Sequence, residues 1–191
     1  MRAFLLVLSI VCFLNINGYA AADSTSGALS AENIQNYKAF TTEGIFDTEL
    51  TTLSAGGQPT IVATSVKELE GKDNIKIFEV TTGVAKAIIG IDETGFFFTE
   101  RFGREFPYAD PQQRYYMLKY DGELKWEYQF KSDKGNEVKI KREILGIEDV
   151  NLTGSTVSCL HLKEEISGFP GKTINADYYY SNQGLIKALM N

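Results

Sequence analysis

Leu124-Lys125-Trp126-Glu127-Tyr128-Gln129-Phe130-Lys131 alternates apolar and polar residues without a break. Leu124, Trp126, Tyr128 and Phe130 fall on one face of an extended chain. Lys125, Glu127, Gln129 and Lys131 fall on the other. Such a period of two marks a half-buried antiparallel strand. Residues 132–136 (SDKGN) supply a turn, and the pattern resumes at Val138, Ile140, Arg142 and Ile144. The two runs read as a hairpin.

The same rhythm extends in both directions. Before the hairpin, strands are expected at residues 46–53, 60–69, 75–82, 85–91 and 96–102. After it, they are expected at 156–166, 173–180 and 185–189. Residues 55–59 (AGGQP), 70–74 (EGKDN), 92–95 (DETG) and 181–184 (SNQG) separate them with turn chemistry. Short, regular spacing predicts an antiparallel meander. Helix is expected only at residues 31–37, with Ser30 as N-cap, and as a short turn at 111–115.

Composition narrows the function classes. The chain has 191 residues, a net charge of −6 and 43% hydrophobic residues. An acidic chain lacks the basic face that nucleic acid requires. One His and two Cys leave no usual zinc ligand set, and no metal or other cofactor is expected.

Residues 1–20 read as a signal peptide. Arg2 is the positive start, residues 3–14 are almost wholly apolar, and Gly18 and Ala20 suit cleavage before Ala21. Val11 before Cys12 is too large for a lipid-modified cysteine. Removal of the segment leaves Cys159 as the sole cysteine, so the exported domain is expected to rest on its core. No later apolar run is long enough to span a bilayer. Residues 21–30 read as a flexible leader and 31–191 as one β domain in the periplasm or outside the cell.

Two stretches run in parallel. Tyr37 to Leu50, with Gly44-Ile45-Phe46, aligns with Tyr115 to Tyr128, with Gly122-Glu123-Leu124. Each half then closes on an apolar strand after a glycine turn: Phe96-Phe97-Phe98 and Leu185-Ile186. An internal repeat of 37–102 and 115–189 is one explanation, and chance strand patterning is the other.

The second half also resembles a known group. Gly122-x-x-x-Trp126-x-Tyr128, Ile147-Glu148-Asp149-Val150, Thr156-Val157-Ser158-Cys159-Leu160 and Tyr178-Tyr179-Tyr180-Ser181-Asn182-Gln183-Gly184-Leu185-Ile186-Lys187 occur in that order. This is similar to uncharacterised bacterial envelope proteins of the lipoprotein-localisation (LolA/LolB-like) half-barrel superfamily. The likeness covers residues 113–189 well and 37–98 loosely. It implies a strongly curved antiparallel sheet whose concave, apolar side receives acyl chains or other hydrophobic molecules. A closed lipocalin-like barrel is the rival fold.

Nucleophilic and acid chemistry has few candidates. Cys159 and His161 are two apart on a strand and share a face. An activated thiolate needs the histidine within reach and a third group to orient it, and no such group is identifiable. Glu100, Glu105, Asp110, Asp121, Glu148, Asp149, Glu164, Glu165 and Asp177 read as a solvated outer face. A glycan hydrolase would need two of them facing a cleft.

The aromatic residues point instead to an apolar ligand. Leu124, Trp126, Tyr128 and Phe130 share a face, as do Tyr178 with Tyr180 and Phe96 with Phe98. If these lie on the concave side, they line a site for a lipid or other hydrophobic molecule. They equally suit a packed core. The expected function is a non-enzymatic, exported binding protein for an apolar ligand or an envelope partner. The alternatives are a scaffold that buries its sheet on a partner chain and, behind it, the glycan hydrolase.

Overall fold

A computed structural model describes residues 29–37, 44–50, 60–72, 74–101, 104–106, 108, 110–131, 135–152, 155–169 and 172–190. The expected signal peptide and the turn at 55–59 lie outside these residues. The described chain is mostly antiparallel β-structure in two sheets. None of its helices is long and apolar enough to cross a membrane.

The first sheet holds β1 (Gly44–Leu50), β2 (Thr60–Lys72), β3 (Ile75–Thr82), β4 (Ala85–Ile91), β5 (Gly95–Arg101), β6 (Arg104–Glu105) and β7 (Tyr116–Lys119). β1 to β5 pair in chain order. The far edge of β5 is shared: β6 pairs with its end and β7 with its start. The second sheet is a meander of β8 (Lys125–Lys131), β9 (Glu137–Leu152), β10 (Ser155–Phe169), β11 (Lys172–Ser181) and β12 (Gly184–Met190). Each half of the chain thus carries five consecutive strands in the same order.

Most expected strands are present. β3 and β4 run over the expected residues end to end. β6 and β7 had no counterpart, and β9 and β10, with 16 and 15 residues, are longer than expected. β9 continues past Gly146 because the register with β10 shifts between His161 and Leu162. The extra residue, Leu145, is absorbed as a bulge rather than ending the strand.

Helix α1 (Ala31–Ile34) is shorter than expected. Ser30 caps it as its sequence position suggests, its hydroxyl accepting from the Asn33 N–H at 3.2 Å. Ile34 is fully buried between the sheets. The turn at 111–115 is a single 3-10 turn, Pro111–Gln113.

The two sheets meet across one apolar cluster. Val66, Phe78, Val80, Ile89, Phe96, Met117 and Leu118 come from the first sheet. Trp126, Ile144, Leu160, Leu162, Ala176, Tyr178, Tyr180 and Leu185 come from the second. Phe96 and Tyr180 touch edge to face, with centroids 5.5 Å apart. On the opposite face of the first sheet, Phe97 lies over Gly90, where a Cβ would stand 2.4 Å from its ring. Only glycine leaves that space.

The rival closed barrel is not found. No ladder among the described residues joins the two sheets. The reason is visible at Tyr116 on β7. Its N–H donates to the Tyr128 hydroxyl at 2.8 Å. Its carbonyl accepts from Trp126 Nε1 at 3.0 Å and from Arg142 Nη1 at 2.7 Å. Side chains from the second sheet satisfy this edge where a barrel would place another strand.

Candidate functional site

Strand register sorts the inner face of the second sheet into rows. Ile147, Leu160, Tyr180 and Leu185 form one row. Ile144, Leu162, Tyr178 and Ala188 form the next, then Trp126, Arg142, Glu164 and Ala176. The residues of this third row are all buried. Tyr128, Ile140, Ile166 and Ile174 form the fourth row, and all four are half-buried. Ile140, Ile166 and Ile174 join none of the core clusters formed by the described residues. Phe130 and Val138 follow beyond them.

This fourth row is the candidate site. It is a strip of apolar side chains crossing four strands. At about 4.8 Å per strand it runs about 14 Å. An aromatic group borders its β8 end. Tyr115 lies 5.0 Å from Tyr128, 5.5 Å from Phe130 and 5.5 Å from Phe106, centroid to centroid. All four rings are half-buried.

A buried ion pair borders the strip along the third row. Arg142 Nε donates to Glu164 Oε2 at 2.7 Å, and Nη2 meets the same oxygen at 2.5 Å. Tyr178 donates to Glu164 Oε1 at 3.0 Å. Glu164 is therefore not on the solvated face expected for it. Register turns it inward opposite Arg142, whereas Glu165 points out and pairs with Lys141. With Arg142, Tyr178 and Tyr116 all engaged, the pair is closed to a ligand charge.

A second polar knot ties the turn at 92–95 to β7. Asp92 Oδ1 accepts from Thr94 N–H and Gly95 N–H at 2.8 and 2.9 Å. Asp92 Oδ2 accepts from the Tyr116 hydroxyl at 2.7 Å and pairs with Arg114. The Arg114 guanidinium also donates from Nε to the Tyr108 carbonyl and lies over the Phe97 ring.

The expected site residues divide. Trp126, Tyr178, Tyr180 and Phe96 lie inside the inter-sheet cluster. Phe98 packs against it, and Tyr128 reaches it from the strip. Phe130 stands beside Tyr115. Leu124 is exposed and outside the cluster. The three isoleucines, Tyr115 and Phe106 were not among the expected residues. Ile140 and Ile174 each sit in an alternating run, which is the one signal that marks them, whereas Ile166 follows Lys163-Glu164-Glu165 and has no such signal.

Cys159 and His161 share the outer face of the second sheet, but not a reaction. His161 is held on both ring nitrogens, Nδ1 by Glu148 at 2.7 Å and Nε2 by Asp177 at 2.8 Å. Its ring stacks on Tyr179 at 4.4 Å. His161 is buried, and neither nitrogen is left for the thiol. Cys159 is fully buried, and burial pushes its thiol up to about 12, with Asp149 adding to the effect. Thiolate is then scarce at neutral pH. Peptide mapping after iodoacetamide treatment at pH 8 is expected to find Cys159 unmodified in the folded protein. It should be fully alkylated in urea.

No cluster of three or more His, Cys, Asp or Glu among the described residues suits a metal ion. Comparison of the chain with protein-family models, curated proteins and solved structures finds no match.

Proposed function

We propose that the chain is an exported, non-enzymatic binding protein. Its ligand is an apolar chain lying along Tyr128, Ile140, Ile166 and Ile174. In this reading the second sheet is the half-barrel, and its inner face is the receiving side. The observation that carries the proposal is the half-buried state of this one row, beside a buried row of the same face. In-register isoleucines on neighbouring strands, left out of the core, favour burial against something else.

The site moves relative to the sequence expectation. Trp126, Tyr178, Tyr180 and Phe96 are packing residues in this account, and the row next to Trp126 takes the ligand. A partner chain is the second reading, favoured by the exposed Leu124 and Leu145.

The test is direct. The protein is purified from its native source and extracted with organic solvent, and released small molecules are identified by mass spectrometry. A stoichiometric apolar molecule supports the proposal. An empty extract from folded protein, with a co-purifying polypeptide, supports the partner reading. Ile166→Lys places a charge in the middle of the strip. It removes about 1.5–3 kcal/mol of apolar contact, so ligand affinity should fall about tenfold to hundredfold. Its unfolding midpoint should stay near that of the parent, because Ile166 is outside the core.

A further inference from the structure

Tyr128 closes the β8 end of the strip. Its hydroxyl oxygen accepts the Tyr116 N–H, which leaves the hydroxyl hydrogen to donate elsewhere. Burial pushes this phenol up to about 12, so the hydrogen stays in place at neutral pH. The nearby acceptors are already engaged. The Tyr116 carbonyl receives Trp126 and Arg142. The Glu164 carboxylate receives Arg142 and Tyr178. Among the described residues, none accepts from the Tyr128 hydroxyl. The Arg142 guanidinium stands 5.7 Å from the Tyr128 ring, with its charge balanced by Glu164. This end of the strip is therefore polar, without net charge, and offers a donor.

Resting on the binding role above, we propose that the ligand carries an oxygen acceptor, a carboxylate or an ester carbonyl, at one end of its apolar chain, and that Tyr128 donates to it. An apolar ligand that covers the strip excludes water from this donor, which costs free energy unless the ligand pairs it. A ligand that pairs it while covering the isoleucines satisfies both needs. A purely hydrocarbon ligand, or one ending in a donor, leaves the hydroxyl unmet.

The test is displacement of bound Nile red from the full chain by dodecanoic acid, methyl dodecanoate and dodecylammonium. The acid or the ester should compete about tenfold more tightly than the ammonium probe. A net charge of −6 works against that order, so bulk electrostatics cannot produce it. Stronger competition by the acid identifies a free fatty acid as the source. Stronger competition by the ester identifies an acylated molecule. Tyr128→Phe should weaken acid and ester about tenfold and leave the ammonium probe unchanged. Equal competition by all three, or an unaltered order in Tyr128→Phe, overturns the inference while the binding role stands. If Nile red is not bound and none of the three probes binds, the binding role itself fails. Should Tyr128→Phe not fold, the order in the parent protein decides alone.

Discussion

Arg142→Ala should destabilise the protein by about 3–5 kcal/mol, the largest effect expected of any single substitution in the second sheet. The Arg142 and Glu164 side chains are 5% and 3% exposed. Loss of the guanidinium strands the Glu164 carboxylate in the interior with only the Tyr178 hydroxyl. It also removes one of two donors to the Tyr116 carbonyl. The double variant Arg142→Met with Glu164→Leu removes both charges and fills similar volume. It should recover most of the loss, because desolvation offsets much of the attraction in a buried pair. Urea unfolding of the parent, Arg142→Met, Glu164→Leu and the double variant measures this. Additive losses would show that the pair is not coupled.

Asp92→Ala should be comparably severe, also about 3–5 kcal/mol. One carboxylate holds the turn by two backbone N–H groups, takes the Tyr116 hydroxyl and neutralises Arg114. The Arg114 and Asp92 side chains are 9% and 8% exposed, so the arginine would be left buried and unpaired. Asp92→Asn keeps an oxygen for the turn and loses only the charge. It should cost clearly less, and the order of the two unfolding midpoints checks the assignment. A small effect of Asp92→Ala would mean that the turn is held by β5 and β7 alone.

Both knots converge on Tyr116, and that residue shows where sequence reading stops. Residues 116–118 carry no alternation because successive side chains are all buried. Tyr116 packs with Phe97 on one side of the first sheet, and Leu118 enters the inter-sheet cluster. A strand covered on both sides has no polar face to reveal it. The long alternating strands were legible for the opposite reason. Lys125, Glu127, Gln129 and Lys131 are exposed opposite buried Trp126, so the pattern reports burial directly.

The candidate site needed register as well as pattern. Arg142 falls on the apolar face of its strand by simple alternation, which hints at a buried partner. Which acid answers it was not legible, since Glu164 and Glu165 are adjacent and differ only in direction. The bulge between His161 and Leu162 sets how β9 and β10 align around it. The same alignment brings Ile140, Ile166 and Ile174 into one row. Each is unremarkable in its own strand, and their meeting depends on two strand pairings, β9 with β10 and β10 with β11. The histidine clamp is hidden likewise, because Glu148 and Asp177 reach His161 from flanking strands.

The central claim is that an apolar ligand occupies the row beside Trp126, and the chain contains its own reporter. Trp126 is the sole tryptophan. It lies one row, about 7 Å, from Tyr128 on the same strand face. The decisive measurement is quenching of its fluorescence by a bromine-labelled dodecanoic acid. The account predicts saturable quenching at one equivalent, reversed by unlabelled dodecanoic acid and needing about tenfold to hundredfold more probe in Ile166→Lys. Unquenched emission from folded protein at saturating probe, or an unchanged half-saturation concentration in Ile166→Lys, would contradict it.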